Sequence, residues 1–296
     1  MQKHMTMFVL IFLPAVIASL EIRVAAQSQT DRAAAVLADA RIALGGQERL
    51  NAVKTLQAAG DFRRSMGEMQ MEGELEVLLE RPDKLRRNED ITMPGGATMT
   101  RTEVLNGDQV WDDSGQRGGM GHGMAIVMRG PGGNLDREGI SEMQRRMRRA
   151  DLERYSLAWL LASDLPVSHV GVAEAPDGKA DVLEFTPAEG PPIRMFIDQR
   201  THLPLMLTWK GPRPRVMVRR VGGPQRDGGP PAPEGDDSPA PPAEATFEMR
   251  LADYRTVDNL QLPHEIMRSI DGQTNEEWTI KSYKVNSPFK SNTFTK

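Results

Sequence analysis

The sequence predicts an α+β fold that is mostly antiparallel β. Three observations predict it. A helical period of 3.6 occurs in only two regions, a period of two runs through most of the remaining chain, and turn residues recur at short intervals between the alternating runs. The inventory is one N-terminal helix, roughly ten strands and a helical insertion in the middle, with no internal repeat.

The chain opens with Lys3, then the apolar run MFVLIFLPAVIASL, then Val24-Ala25-Ala26 before Gln27. This is the charged, apolar and small-residue order of a secretory signal peptide, so residues 1–26 are expected to be removed and 27–296 to form a single domain. The run is too short to span a bilayer comfortably and Pro14 interrupts it. There is no cysteine, so neither a lipoprotein anchor nor a disulfide is available and a packed core must stabilise the fold. Without Lys3, Arg23 and Glu21, Lys+Arg falls from 37 to 35 and Asp+Glu from 41 to 40, a net charge of 35 minus 40, or −5. Such a mildly acidic chain with scattered arginines gives no electrostatic reason to expect nucleic acid.

In TDRAAAVLADARIALGG, Thr30 or Asp31 can cap a helix whose Val36, Ala40, Ala43 and Leu44 share a face, and Gly45-Gly46 ends it. From Thr55 the period becomes two. In MEGELEVLLE, Met71, Leu75, Val77 and Leu79 point one way while Glu72, Glu74 and Glu76 point the other, the pattern of a sheet with one dry face. Asn106-Gly107, between TRTEVL and DQVWDD, signals a hairpin because both residues tolerate positive φ. A Gly/Met-rich loop follows at 115–133, and 135–163 reads as one or two helices, with Asn134 placed to cap and Ile140, Met143 and Met147 along one face. Strands resume at ADVLEFTP, PIRMFID, LPLMLTW, PRVMVRRV, TFEMRLADY, PHEIMRSI and NEEWTIKSYKV, with turns at Pro176-Asp177-Gly178, Asp258-Asn259 and Asp271-Gly272. Residues 222–243 hold 12 Gly or Pro in 22 positions, too little apolar surface to offset their ordering entropy, and read as a disordered insertion.

The order of elements, together with ARIALGG, ERPDKLR, LNGDQVW, RMFIDQRTHLPLMLTW and DYRTVDNLQLPHEI, resembles the periplasmic lipoprotein-sorting (LolA-like) carriers. The resemblance runs from about Asp31 to Phe289. It implies a half-open antiparallel β-barrel with helices covering the opening and acyl chains held in an apolar interior. Its most specific pieces are Phe196-Ile197-Asp198 through Thr201 to Leu203-Pro204, and the hairpin ending at Leu262-Pro263. Both are scaffold features: an Asp-x-x-Thr turn can bond its own backbone and start the next strand.

Catalytic constellations are absent from the sequence. There is no Gly-x-Ser-x-Gly, His-Glu-x-x-His, phosphate loop or dinucleotide fingerprint, and Ser287-Pro-Phe-Lys290 lacks the partner motifs of a Ser-x-x-Lys nucleophile. Beyond the signal segment the histidines are His122, His169, His202 and His264, none spaced to share a metal with another. The alternating glutamates suit a solvated face better than an acid/base pair. Thioether and imidazole together suit Cu(I), which draws attention to Met120, His122 and Met124. The 18 methionines, however, are spread over the chain as adaptable apolar filler, so neither metal nor cofactor is expected.

The apolar positions of the sheet and the insertion nominate a cavity lining. In the first strands these are Leu75, Val77, Val104 and Trp111; in the insertion, Met143, Met147 and Trp159; in the later strands, Met195, Leu205, Leu207, Trp209, Ile266 and Trp278. A packed core gives the same pattern, and the two differ only in whether the centre is filled. Met124, Ile126 and Met128 form an apolar tip between glycine-rich hinges, suited to a lid. Arg145 and Arg149, within the arginine-rich QRRMRRADLER, are either a solvated face or a contact for lipid headgroups or an acidic partner. The chain is thus expected to be a monomeric, non-enzymatic carrier of lipid or acylated protein in a Gram-negative periplasm, serving outer membrane biogenesis with a membrane-bound donor or acceptor. The alternative is a regulatory or sensor domain on the same scaffold.

Overall fold

The computed structural model describes residues 15–67, 69–92, 96, 98–117, 137–175, 178–187, 190–213 and 243–296. Helix α1 (Ala15–Ala43) and the short α2 (Gln47–Ala52) come first. Ala33, Val36, Leu37, Ala40 and Leu44 are buried along one side of α1 and just beyond its end, extending the stripe read from the sequence. Gly45 and Gly46 stop the helix with φ of 124° and 101°, and the Gly46 amide donates to the Arg41 carbonyl, closing the last turn. A Cβ on Gly45 would lie 2.3 Å from the Asn259 carbonyl oxygen, so no other residue fits there. Thr30 and Asp31 lie inside the helix rather than at its start, because α1 already begins at Ala15 within the expected signal segment.

The strands are β1 (Thr55–Met66), β2 (Met69–Glu80), β3 (Lys84–Thr92), β4 (Thr98–Asn106) and β5 (Gln109–Arg117), then, after helix α3 (Arg137–Leu160), β6 (Val167–Ala175), β7 (Gly178–Phe185), β8 (Ile193–Asp198), β9 (Pro204–Pro212), β10 (Glu244–Val257), β11 (Leu260–Ile270) and β12 (Gln273–Val285). They form one antiparallel sheet of 12 strands in the order β5-β4-β3-β2-β1-β12-β11-β10-β9-β8-β7-β6. The expectation of roughly ten strands is corrected to 12, and where a half-open barrel was expected the sheet is open. Strands β1, β3 and β6 join those read from the sequence, and β5 and β6 remain free edges. The PRVMVRRV strand and the 222–243 insertion lie outside the described residues apart from Ala243.

This order has a simple cause. The chain winds outward from β1 to the β5 edge, crosses to the opposite edge at β6, and winds back until β12 pairs with β1. Helix α3 is that crossing. It touches β3, β4 and β5 on one side and β9 on the other. Strands β3 and β9 stand six positions apart, roughly 29 Å in a flat sheet, against a helix about 10–12 Å across. The sheet is therefore curled around α3 without closing.

Turns follow local chemistry. Asp258 and Asn259 have φ of 48° and 62°, and Asp271 and Gly272 have 48° and 76°, the positive values that tight hairpins demand. The β4–β5 turn is Gly107-Asp108, one residue later than predicted, with Asn106 still paired to Gln109. In the 198–204 phrase, Asp198 Oδ1 accepts from the Arg200 and Thr201 amides and from the Thr201 hydroxyl at 2.6–2.9 Å, as its sequence implies.

Candidate functional site

Helix α3 divides into two halves of different chemistry. In its first half a basic stripe meets the acidic β4–β5 hairpin. Gln144 donates to Asp112 at 3.0 Å, Arg148 reaches Glu103 at 2.7 Å and Asp112 at 3.3 Å, and Arg149 reaches Asp108 at 2.5 Å. Arg148 is buried. Burial opposes its charge, but Glu103, Asp112 and Asp151 outweigh burial and raise its pKa. On the exposed side Arg146 pairs with Glu142 at 2.5 Å.

The second half is apolar. Leu152, Tyr155, Leu157, Ala158, Trp159, Leu160 and Leu161 are all buried, and Trp159 has no exposed surface. The Tyr155 and Trp159 rings stack at 5.2 Å, Tyr155 stands 5.8 Å from Trp278, and Trp159 meets the edge of Tyr283 at 6.3 Å. Arg41 of α1 donates to the Leu161 carbonyl at 3.2 Å, placing a cation at the negative end of α3.

Beneath Tyr155 lies a buried set of ions. Glu276 on β12 takes Arg87 at 2.6 Å, Arg64 at 2.7 Å and Arg268 at 3.3 Å, while Glu89 takes Arg87 at 2.5 Å and Arg64 at 2.6 Å. Burial alone would raise the Glu276 pKa; Arg87, Arg268 and Arg64 reverse this and hold the carboxyl far below its ordinary range. Glu89 is lowered in the same way, burial being overcome by Arg87 and Arg64. Arg87 also donates to the Tyr155 hydroxyl at 3.3 Å and lies over the Trp278 ring at 4.9 Å. Its Nε is buried with no acceptor among the described residues. Removing one partner from such a set costs about 3–5 kcal/mol because the other charge is left buried.

Of the residues expected to line a cavity, Leu75, Val77, Trp159, Met195, Leu207, Trp209, Ile266 and Trp278 come together in one buried cluster on the inner face. The apolar half of α3, Leu152 to Leu161, belongs to the same cluster and packs against them. Val104 and Trp111 require correction. They lie on the opposite face, packed with Leu78, Phe289 and Phe294 of the C-terminal tail, because β4 and β5 pair so that Glu103 and Asp112 face α3. Leu205 is also corrected, being 40% exposed. Phe196 faces Met206 and Ile197 faces Pro204, so Leu205 is the extra residue of a bulge and the parity it shared with Trp209 breaks there. Met147 is 52% exposed and Met143 half-buried, so Met147 lines no interior. Arg149 is engaged with Asp108 and Arg145 is half-buried, which leaves less free basic surface than the sequence implied. Met124, Ile126 and Met128 lie outside the described residues.

Sequence reasoning missed the ionic set, although a signal for it exists. Arg87 and Glu89 alternate with Leu85 and Ile91, and Glu276 alternates with Trp278 and Ile280, so charged side chains stand in the apolar register of their strands. Charge at such positions must be paired with charge from neighbouring strands.

Among the described residues no group of three or more His, Asp or Glu is arranged to hold a metal. His169 shares buried Asp181 with Arg32 of α1 and Gln199, and His264 is bonded to the Ile280 carbonyl at 2.7 Å. His122 lies outside the described residues. No described helix is long and apolar enough to cross a membrane. A shallow cleft of about 270 Å³ lined by Arg49, Val53, Asp258, Leu260 and Asn286 lies at the α2 end, apart from α3.

No protein-family model and no curated protein sequence matches the chain. Solved structures do. The chain is similar to the LolA superfamily protein NE2245 from Nitrosomonas europaea, with 12% identity, a TM-score of 0.48 and coverage of 92% of this chain and 97% of that one. It is similar to an outer membrane lipoprotein-sorting protein domain from Vibrio parahaemolyticus, with 10% identity, a TM-score of 0.45 and coverage of 90% and 97%. It is also similar to a DUF1329 family protein from Desulfovibrio piger, with 9% identity, a TM-score of 0.44 and coverage of 88% and 96%. The structural neighbours of this chain are thus LolA superfamily, lipoprotein-sorting and DUF1329 proteins, at moderate TM-scores and low identity.

Proposed function

We propose that the protein is a non-enzymatic binding protein or carrier of the periplasm, which takes an acyl chain into the space now filled by the second half of α3. The observation that carries this reading is the division of α3. The helix lies inside an open, curled sheet between its β3–β5 end and β9, its second half is buried among apolar residues, and its first half is held by ion pairs to a single hairpin.

A chain of about 14 methylenes gains roughly 11 kcal/mol on burial, at about 0.8 kcal/mol each. Displacing α3 gives up the packing of Tyr155 and Trp159, about 3–5 kcal/mol apiece, and of Leu152, Leu157 and Leu160 besides, so the exchange requires that the displaced apolar face be reburied. Release then requires a membrane or receptor that offers the chain a comparable environment.

Native mass spectrometry of protein purified from a membrane-rich host, followed by delipidation and titration with the uncharged fluorophore N-phenylnaphthylamine, tests the reading. Co-purified lipid and saturable fluorescence are expected; finding neither sinks the carrier. The filled interior also favours a second reading, a sensor whose helix reports occupancy to a membrane partner. Retention of a membrane protein by the wild type, lost on Arg145→Glu with Arg149→Glu, would select that reading.

A further inference from the structure

We infer that the interior holds a seat for an oxyanion, so that the ligand is an acyl chain ending in a carboxylate or phosphate rather than an uncharged one. This inference rests on the carrier reading and narrows its ligand. Three guanidinium groups, Arg64, Arg87 and Arg268, share two carboxylates, Glu89 and Glu276, which leaves one positive charge over. All five side chains stand on strands, so the set stays assembled when α3 lifts.

Helix α3 covers this set with a neutral group, the Tyr155 hydroxyl, at 3.3 Å from Arg87. The carboxylate of α3 nearest to it, Asp151, is taken by Arg154 at 3.1 Å and Arg148 at 3.9 Å. Arg87 is 9% exposed at its side chain, and its Nε has no acceptor among the described residues, a donor left available at the centre of the set. Buried charge is ordinarily matched, and guanidinium groups bind carboxylate and phosphate through paired donors.

A second ionic set beside it does not cancel the excess. Glu103 and Asp112 are balanced by Arg101 and Arg148. When α3 leaves with Arg148, Glu103 keeps Arg101, and the negative charge left over sits on Asp112, on β5 two strands from Arg87 and about a third exposed, where water screens it. The adjoining wall fits the rest of such a ligand. Arg87 and Arg268 lie over Trp278 at 4.9 and 5.8 Å, and Ile266 pairs with Trp278 on the same face, so an anionic head bound by the arginines would direct its chain along apolar surface.

The test is displacement of N-phenylnaphthylamine from the full chain by tetradecanol, myristate, tetradecyl phosphate and inorganic phosphate. Myristate and tetradecyl phosphate are expected to compete at least about tenfold better than tetradecanol, and inorganic phosphate not at all. Arg268→Gln, at the more exposed margin of the set, is expected to abolish the preference while tetradecanol binds as before. Equal affinity for the acids and the alcohol overturns the inference and leaves the carrier standing, as does a preference that survives Arg268→Gln. Competition by inorganic phosphate alone overturns it in favour of a free-ion site. Failure of all three chain compounds overturns the carrier as well. Should the variant not fold, the wild-type comparison still decides.

Discussion

Replacing Trp159 with alanine separates a displaceable α3 from one that is simply core. Trp159 has no exposed surface, stacks on Tyr155 and meets Tyr283, so its truncation costs about 3–5 kcal/mol. If α3 opens on its own, that cost falls on the closed state alone. The ratio of closed to open protein then drops by roughly 10²–10⁴, and an apolar probe that binds the open form gains affinity by up to the same factor. Global melting changes little, because the sheet unfolds afterwards at its own temperature. If instead α3 belongs to a single cooperative unit, the same loss lowers the melting temperature by roughly 6–20 °C for a domain of this size, with no gain in affinity. The assay pairs N-phenylnaphthylamine titration with calorimetric melting of Trp159→Ala and of Phe294→Ala, a control on the opposite face. A large drop in melting temperature with unchanged or weaker probe binding refutes the displaceable helix.

Two further outcomes follow from the ionic contacts. Arg148→Gln leaves Glu103 with Arg101 alone and Asp112 without its cation, and is expected to destabilise by about 2 kcal/mol. Arg149→Gln breaks an exposed pair with Asp108 and is expected to cost less than about 1 kcal/mol in the same urea titration; equal effects would remove Arg148 from its role as the clamp. Glu276 and Glu89 both have folded pKa values below their ordinary ones. Their stabilisation is therefore complete above the unfolded carboxylate pKa of about 4.3, and is lost as pH falls through the folded values. Unfolding free energy should decline below about pH 4, and Glu276→Gln should flatten that decline; an unchanged slope would show that other carboxylates control acid unfolding.

Much of the fold was legible because its signals are local. Period-two alternation marked β2, β8 and β12, Asp258-Asn259 and Asp271-Gly272 marked their turns, and Gly45-Gly46 marked the end of α1. Strands β1, β3 and β6 were less plain because charged or small residues such as Arg64, Arg87, Glu89 and Gly171 interrupt their apolar register. The candidate site was legible only in part. Eight of the nominated apolar positions meet in one cluster, since parity within a strand reports a shared face. Parity does not report which face is inner, so Val104 and Trp111 were placed on the wrong side, and it does not survive a bulge, so Leu205 was misplaced as well.

The sequence by itself determined nine of the described strands, the absence of disulfides and the position of the helical insertion, because backbone preference and periodicity act between residues close in the chain. Only the tertiary structure decided that α3 fills the interior, and that Arg64, Arg87, Glu89, Arg268 and Glu276 converge beneath it. Those residues come from β1, β3, β11 and β12, as far as 212 positions apart. Their meeting depends on how a chain that starts at the centre of the sheet curls around its own crossing helix, and on the pairing that burial imposes on every charge placed there.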